Sequence, residues 1–238
     1  MKKIAILLFT CLSLSLYGQT DADVISLDSA KTLFYAFERD ENGGPSFPQI
    51  VSILENITRH EPHNTEAKYF LGYAYSRMNA YDGKGIPDMD LDLVVKSSAE
   101  FEKVIALTPK YTGERIILDP HSKIASEWGA MALCYMAHGK RDSALWAFNE
   151  GKTRGGFSPF FLNINRNILD ACSENAILIV SGDNISFPLW YLQNVENYRT
   201  DVTLVERNLL HSNWYPTYLQ SAGQLSFGAP EEALDTLD

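Results

Sequence analysis

The sequence has few cysteines, few basic residues and no apolar run of membrane-spanning length. Three cysteines among 238 residues cannot form a disulfide framework. Twenty basic residues face 30 acidic ones, and no run of Lys or Arg follows the first three residues, which argues against nucleic-acid binding. The apolar run at 4–16 is shorter than the about 20 residues that cross a bilayer. The remaining composition, 45% hydrophobic and 12% aromatic, is that of a globular protein.

The N-terminal residues have the layout of a secretory signal peptide. Two lysines follow Met1, the apolar run comes next, and Gly18 supplies a small residue before a cleavage point. We therefore expect residues 1–18 to be removed after Gly18. The mature protein is then expected in the periplasm or at the exterior of a bacterium, without a membrane span.

Two segments of the chain share a helical pattern. In each, a large apolar residue is followed by a small one, Gly72 or Ala132, and then by Tyr three positions later. The segments are 66–75 and 126–135, and a second helical pattern follows each of them, at 98–107 and 142–151. The small residue lets a partner helix approach closely, so the pattern predicts tandem helical hairpins.

These hairpins resemble tetratricopeptide repeats. The matching signature positions are Trp128, Met131, Ala132, Tyr135, Gly139, Ala144, Phe148 and Gly151 in one unit, and Leu71, Gly72, Tyr75, Phe101 and Pro109 in the unit before it. The segment 82–96 departs from the family pattern because it is longer than a tight helix turn. An earlier unit, with helices over 28–39 and 48–60, brings the expected number of hairpins to about three within residues 19–159.

The resemblance implies a concave groove that is lined by the first helix of each hairpin. Its expected binding residues are Tyr69, Tyr73, Arg77, Leu133 and Met136. The expected partner is a protein or peptide, with an envelope membrane protein as one candidate. The alternative is that these side chains pack against the 82–96 insertion or against the C-terminal segment.

The character of the sequence changes at residue 160. A helix over 162–172 leads into the apolar run 176–180, which is typical of a parallel strand buried on both faces. Ser186 is a suitable N-cap for a helix to about residue 196, and 202–205 is a second strand. The order predicts one βαβ unit in an α/β segment over 160–222, with a last helix at 214–221 and a tail over 223–238.

The turn between the first strand and its helix is the candidate ligand site. Gly182, Asp183 and Asn184 lie where ligands of α/β sheets bind, beyond the carboxyl end of a strand. Arg199 and Asp201 are expected nearby. The ligand class that we consider is a sugar or sugar phosphate. The alternative is structural, with Asp183 and Asn184 accepting hydrogen bonds from the turn and the helix start.

A second resemblance covers residues 174–219. It rests on Gly182-Asp183-Asn184, Phe187-Pro188-Leu189-Trp190, Arg199-Thr200-Asp201 and Trp214-Tyr215. These residues are similar to the extracytoplasmic C-terminal region of bacterial multi-pass membrane proteins related to protein O-mannosyltransferases. Ile185 and Ser186 replace the Asp and Thr usual in that family, which removes a second acidic ligand. The resemblance implies a shared accessory module without transferase activity.

No motif predicts a metal, a cofactor or a catalytic nucleophile. His60 and His63 have no further ligand cluster near them in the sequence, and Cys134 and Cys172 lie on separate predicted helices. The sequence thus predicts a mainly α protein of tetratricopeptide-like hairpins followed by a small βαβ segment. Its expected role is a non-enzymatic scaffold for a partner protein. The alternative is a small-ligand module of an envelope glycosylation system that uses the 182–184 turn.

Overall fold

The computed structural model describes residues 25–39, 46–226 and 228. The expected signal peptide, 1–18, and most of the tail, 223–238, lie outside the described residues. The α-helices are α1 (Leu27–Glu38), α2 (Phe47–His60), α3 (Thr65–Asn79), α4 (Leu91–Leu107), α5 (Pro120–Ala137), α6 (Arg141–Thr153), α7 (Pro159–Asp170), α8 (Asp183–Val195) and α9 (Trp214–Ser221). The strands are β1 (Ile177–Val180) and β2 (Thr203–Glu206), and short 3-10 helices span Gly83–Asp88 and Asn208–His211.

The first six helices pack in sequence order as tandem hairpins, as the sequence predicts. The α3–α4 hairpin is close-packed at Gly72, where an added Cβ would lie 2.8 Å from the Cζ atom of Phe101. Asn64 begins α3 by accepting a hydrogen bond from the Ala67 N–H, and Asp119 caps α5 in the same way. The predicted insertion holds the first 3-10 helix and the start of α4.

The α5–α6 hairpin is built around Trp128, which is fully buried. A Cβ on Gly151 would lie 2.6 Å from the Trp128 Cβ, so the glycine allows the two helices to approach. The Trp128 Nε1–H donates to the Ser98 Oγ at 2.9 Å, which ties α5 to α4. Gly139 ends α5 with φ of +69°, a left-handed conformation that glycine adopts readily.

The C-terminal part holds a two-stranded parallel sheet. Residue 177 pairs with 203, and the register continues to Val180 opposite Glu206. The expected βαβ unit is therefore confirmed, with α8 as the crossover. The expectation that β1 is buried on both faces is wrong, because Ile177 and Ile179 are 59% and 63% exposed. Within the described residues the sheet has two strands, and the face of β1 that carries Ile177 and Ile179 stays open.

The C-terminal part packs directly on the helical hairpins. Helix α8 lies against α5, where a Cβ on Gly129 would come within 2.5 Å of the Phe187 ring. At the other end, the Trp214 Nε1–H donates to the Gly83 carbonyl of the first 3-10 helix at 2.9 Å. This packing brings the N-terminus of α8 and the carboxyl end of β2 against α3 and α5.

Candidate functional site

A cleft lies between the hairpins and the C-terminal part, and we call it the ligand cleft. It consists of two adjoining depressions of about 220 and 430 Å3, and Arg77, Lys123 and Asp183 line both. The larger one also contains Gly182 and Asn184. Arg77 was expected in a partner groove and the 182–184 turn in a ligand site, so the fold places members of two separate predictions in one cleft.

Gly182 shapes the floor of the ligand cleft. Its φ of +99° is costly for other residues, and nothing lies within 4 Å of the position of a Cβ, so conformation rather than space favours glycine there. Gly182 is the N-cap of α8, and it offers no side chain to the helix start. Among the described contacts, the N–H groups of Asp183 and Asn184 have no acceptor. Two backbone donors are thus available at the cleft.

Asp183 does not cap its own helix, contrary to the structural alternative for this residue. Its Oδ2 instead accepts a hydrogen bond from the Ser126 Oγ of α5 at 2.5 Å. The carboxylate therefore joins the two walls of the cleft. Its position in the first turn of α8 is favourable for a negative charge, because the helix dipole is positive there.

Ser186 occupies the fourth position of α8 and is not the N-cap that the sequence suggested. Ser186 adjoins the smaller depression, but the residue is only 2% exposed and its hydroxyl is sealed from the cleft. The Ser186 Oγ has no hydrogen-bond partner in the described structure. A buried hydroxyl without a partner is unusual, so this atom requires an explanation.

Helix α8 lacks one backbone hydrogen bond near its start because it contains Pro188, and a side chain of α7 supplies the missing donor. Proline has no N–H, so the Asn184 carbonyl four residues earlier loses its helical donor. The side-chain amide of Asn165 on α7 donates to that carbonyl at 3.1 Å. Asn165 is fully buried, and its contact fixes α7 against the turn that carries Asp183 and Asn184.

Glu206 is a cleft residue that the sequence analysis missed. It ends β2, and its carboxylate accepts hydrogen bonds from the N–H of Gly182 at 3.3 Å and of Leu209 at 2.8 Å. The Asn208 side chain donates to the same group at 3.3 Å. One sequence feature could have identified Glu206 as a cleft residue. It lies at the carboxyl end of the second parallel strand, and that end of the sheet also holds the 182–184 turn.

The two basic residues of the cleft are already in ion pairs. The Lys123 Nζ lies 2.6 Å from both Glu127 and the Ser76 Oγ, and the pair is almost completely buried. The Arg77 guanidinium binds both carboxylate oxygens of Glu38, at 2.7 and 3.2 Å. These pairs fix the wall formed by α3 and α5.

The open aromatic groove expected from the repeat resemblance is filled by the chain itself. Tyr69 and Tyr73 are buried, and their hydroxyl groups bond the backbone of the segment 116–118 between α4 and α5. Burial raises the pKa of the Tyr73 phenol. Leu133 is also fully buried, and Met136 is partly buried in the core. Of the five expected groove residues, Arg77 and Tyr73 line the ligand cleft, Arg77 in both depressions and Tyr73 in the larger one.

Arg199 and Asp201 are not part of the ligand cleft, since they precede β2 and lie at the opposite end of the sheet. The Arg199 guanidinium pairs with Asp201 at 2.8 Å and donates to the backbone carbonyl of Leu169 at 2.6 Å. The Asp201 carboxylate also accepts the Asn175 N–H at 3.2 Å. Its hydrogen bond with Arg199 lowers the pKa of Asp201 to about 2. This pair fixes the connection from α7 to β1, a structural role.

In the described part of the chain, no group of three or more His, Cys, Asp or Glu side chains is arranged to hold a metal ion. Cys134 in α5 and Cys172, which follows the end of α7, are both free thiols. Burial raises the pKa of the Cys134 thiol. None of the helices in the described ranges combines the length and the apolar character that a bilayer crossing requires.

The comparisons with known proteins show a similarity to a known family in the C-terminal part of the chain. Residues 162–229 match the family described as TMEM260-associated domain 2, which is linked to O-mannosyltransferase-like membrane proteins. The matched segment begins within α7 and contains both strands, α8 and the Gly182 turn. A search of curated proteins and a search of solved structures found no match to the chain.

Proposed function

We propose that this protein is a binding module that holds a small polar ligand, a sugar or a sugar phosphate, in the ligand cleft. The observation that carries the proposal is the start of α8, where the backbone N–H groups of Asp183 and Asn184 have no acceptor and both residues line the cleft. A backbone N–H group at a helix start needs a hydrogen-bond partner, which a polar ligand can supply.

The surroundings of these N–H groups suit such a ligand. The N–H groups at positions 183 and 184 can donate to it, and the Asp183 and Glu206 carboxylates can accept from it. Trp190 and Tyr81 line the smaller depression and offer apolar surface to a sugar ring. The larger depression, at about 430 Å3, falls in the range of about 300–1,000 Å3 that is typical of small-molecule sites, and the smaller one, at about 220 Å3, lies below that range.

The family match supports a role beside a glycosylation system. The segment 162–229 supplies the 182–184 turn and Glu206, and it is the segment that matches a family linked to O-mannosyltransferase-like membrane proteins. We propose that the chain is an exported accessory module of such a system in the bacterial envelope. On this proposal its hairpins are tetratricopeptide repeats that support the cleft, and the chain has no transferase activity of its own.

The test is a titration of the protein without residues 1–18, followed by two-dimensional amide NMR. The probes are common hexoses and N-acetylhexosamines, and the 6-phosphates of the hexoses. Binding should move the amide signals of residues 182–184, and Asp183→Asn, which removes the charge of a cleft carboxylate, should weaken it about fivefold or more. Asp142→Asn on α6, outside the cleft, is the matched control and should bind as the wild type does. If none of the probes shifts the signals of the turn, the proposal is wrong.

A second candidate function is that of a scaffold for a partner protein. The partner would bind the open face of the sheet, because the groove of the helical hairpins is filled. It is favoured by Ile177 and Ile179, which are 59% and 63% exposed on the open face of β1. The hypothesis predicts that Ile177→Lys with Ile179→Lys abolishes capture of an envelope protein while the melting temperature stays unchanged. Equal capture by the double variant and the wild type would reject this candidate.

A further inference from the structure

A second cavity lies at the opposite end of the sheet from the ligand cleft. It has a volume of about 340 Å3 and is bounded by the start of α6, the end of α8, the beginning of β2 and the end of α9. This volume is within the range of about 300–1,000 Å3 that is typical of small-molecule sites. Trp190 also lines the ligand cleft, and the other lining residues belong to the second cavity. A ligand here is therefore separate from one that is bound at the 182–184 turn.

Arg141 is the one charged side chain among the described residues that line the second cavity. Its guanidinium forms no ion pair or hydrogen bond within the described ranges, unlike Arg77 and Lys123 in the ligand cleft. Arg141 is also the first residue of α6, where the positive end of the helix dipole disfavours a cation. An anion would stabilise a guanidinium in this place. A carboxylate matches it best, because it accepts two parallel N–H bonds and carries the single charge that one arginine neutralises.

Two side-chain amides at the end of α8 present fixed acceptors to the second cavity. The Gln193 Nε2 group donates to the carbonyls of Arg199 at 2.8 Å and Val202 at 2.7 Å, so both of its N–H groups are used. The Asn194 Nδ2 group donates to the Trp190 carbonyl at 2.9 Å. The side-chain carbonyl oxygens of both amides have no donor in the described structure and are open to solvent. They can therefore accept hydrogen bonds from a ligand.

The charge of the second cavity favours neutral donors on that ligand. No Asp or Glu of the described chain lines the cavity, so an ammonium group on the ligand would leave one positive charge without a partner beside Arg141. Hydroxyl groups donate to the amide oxygens without adding charge. Trp190, Val202 and Leu204 supply an apolar wall that suits the C–H face of a sugar ring. A carboxylate, several hydroxyl groups and such a face occur together in a hexuronic acid.

We propose that the second cavity binds a small hydroxylated carboxylic acid, such as a hexuronic acid, with its carboxylate on Arg141. The carboxylate oxygens accept hydrogen bonds from the guanidinium, and the ligand hydroxyls donate to the side-chain oxygens of Gln193 and Asn194. This inference goes beyond the proposed function and does not rest on it, because the two sites share only Trp190 among their lining residues.

The test is an amide NMR titration of the protein with glucuronate and with glucose, which differ only in the carboxylate that replaces the terminal CH2OH group. At about 20 mM salt, where charges are weakly screened, glucuronate should move the amide signals of Thr200 and Thr203 in the cavity wall. At these signals it should bind at least about tenfold more tightly than glucose, and also than acetate, which has the carboxylate but no hydroxyl groups. Raising the salt to about 0.5 M should weaken the binding of glucuronate, because salt screens the ion pair.

Variants of Arg141 test the role of its guanidinium. Arg141→Gln removes the charge and should weaken glucuronate binding about tenfold or more, whereas Arg141→Lys keeps the charge without the paired donors and should weaken it by a smaller factor. Arg115→Gln is the matched control, because Arg115 is exposed and lies outside both cavities, and it should bind glucuronate as the wild type does. Arg141→Gln should melt at or above the wild-type temperature, since it removes a cation from a helix start, so that unfolding does not account for the lost binding.

Three results would overturn the inference. These are unmoved Thr200 and Thr203 signals with glucuronate, equally tight binding of glucose or acetate at these signals, and wild-type affinity of Arg141→Gln for glucuronate. Glucuronate shifts that are confined to residues 182–184 would also overturn it, because they would place the ligand in the ligand cleft. Shifts at Thr200 and Thr203 that depend on Arg141 support the inference, whatever the sugars and sugar phosphates do at the 182–184 turn.

Discussion

Gly129 makes a sharp prediction about how the C-terminal part is attached to the hairpins. An added Cβ at this position on α5 would lie 2.5 Å from the Cγ and 2.8 Å from the Cβ of Phe187, whereas ordinary contacts are 3.4–4 Å. The Phe187 Cβ stays in place when the side chain changes rotamer, so a rotamer change cannot relieve the 2.8 Å contact. Helix α8 would have to retreat from α5 by roughly 1 Å to restore van der Waals distances.

The expected effect of Gly129→Ala is the difference between two terms. Overpacking of the core lowers the free energy of unfolding by about 1–3 kcal/mol. The replacement of glycine by alanine within a helix raises it by about 0.5–1 kcal/mol. We expect a net loss of about 1–2 kcal/mol in the free energy of unfolding. For a chain of this length, that loss lowers the melting temperature by about 2–8 °C.

The assay is thermal and urea unfolding of Gly129→Ala, with Gly72→Ala as the matched control. The control adds the same atom, but that atom meets the far end of the Phe101 ring at 2.8 Å, which can tilt away. Its net cost should therefore be near zero. Phe187→Ala combined with Gly129→Ala should cost less than the sum of the two single changes. A Gly129→Ala protein as stable as the wild type, or strict additivity of the pair, would refute this account of the α5–α8 contact.

Three further predictions concern other contacts. Gly72→Leu should overpack the α3–α4 hairpin and cost about 1–3 kcal/mol in urea unfolding, so an unchanged unfolding midpoint would contradict the packing against Phe101. Ser186→Ala should keep or raise the melting temperature, because it removes a buried hydroxyl without a partner, and a marked fall would show that the hydroxyl is bonded. Asp201→Asn should melt below the wild type near pH 6, and the difference should vanish as the pH falls from 4 to 2. The reason is that the pairing with Arg199 lowers the pKa of Asp201 to about 2. The pair therefore stabilises the fold above the ordinary carboxyl pKa, and this stabilisation is lost when Asp201 is protonated. A difference in melting temperature that does not depend on pH would contradict this role of the pair.

The order and the hairpin character of the helices follow from local sequence signals. The spacing of apolar residues sets each helix, and the paired small and large residues, such as Gly72 with Phe101, set which helices approach closely. The βαβ unit and its turn at Gly182 are also local features, because an apolar run, a glycine turn and a helix follow within a few residues.

The makeup of the ligand cleft depends on tertiary packing. Whether Tyr69 and Tyr73 line a groove or a core depends on a segment more than 40 residues away, which bonds to their hydroxyls. Glu206 and Asp183 enter the same cleft because the carboxyl ends of parallel strands share one edge of the sheet. Arg199 precedes a strand and is therefore carried to the opposite edge.

The exposure of β1 and the position of Ser186 illustrate the same division. The apolar run of β1 predicts a strand that is buried on both faces. Whether other elements cover both faces is decided by the assembled fold, and here one face of β1 stays exposed. Ser186 is an acceptable N-cap by residue type. Because Gly182 adopts positive φ and Asn165 replaces the donor that Pro188 lacks, α8 begins four residues earlier, and Ser186 lies buried in its first turns.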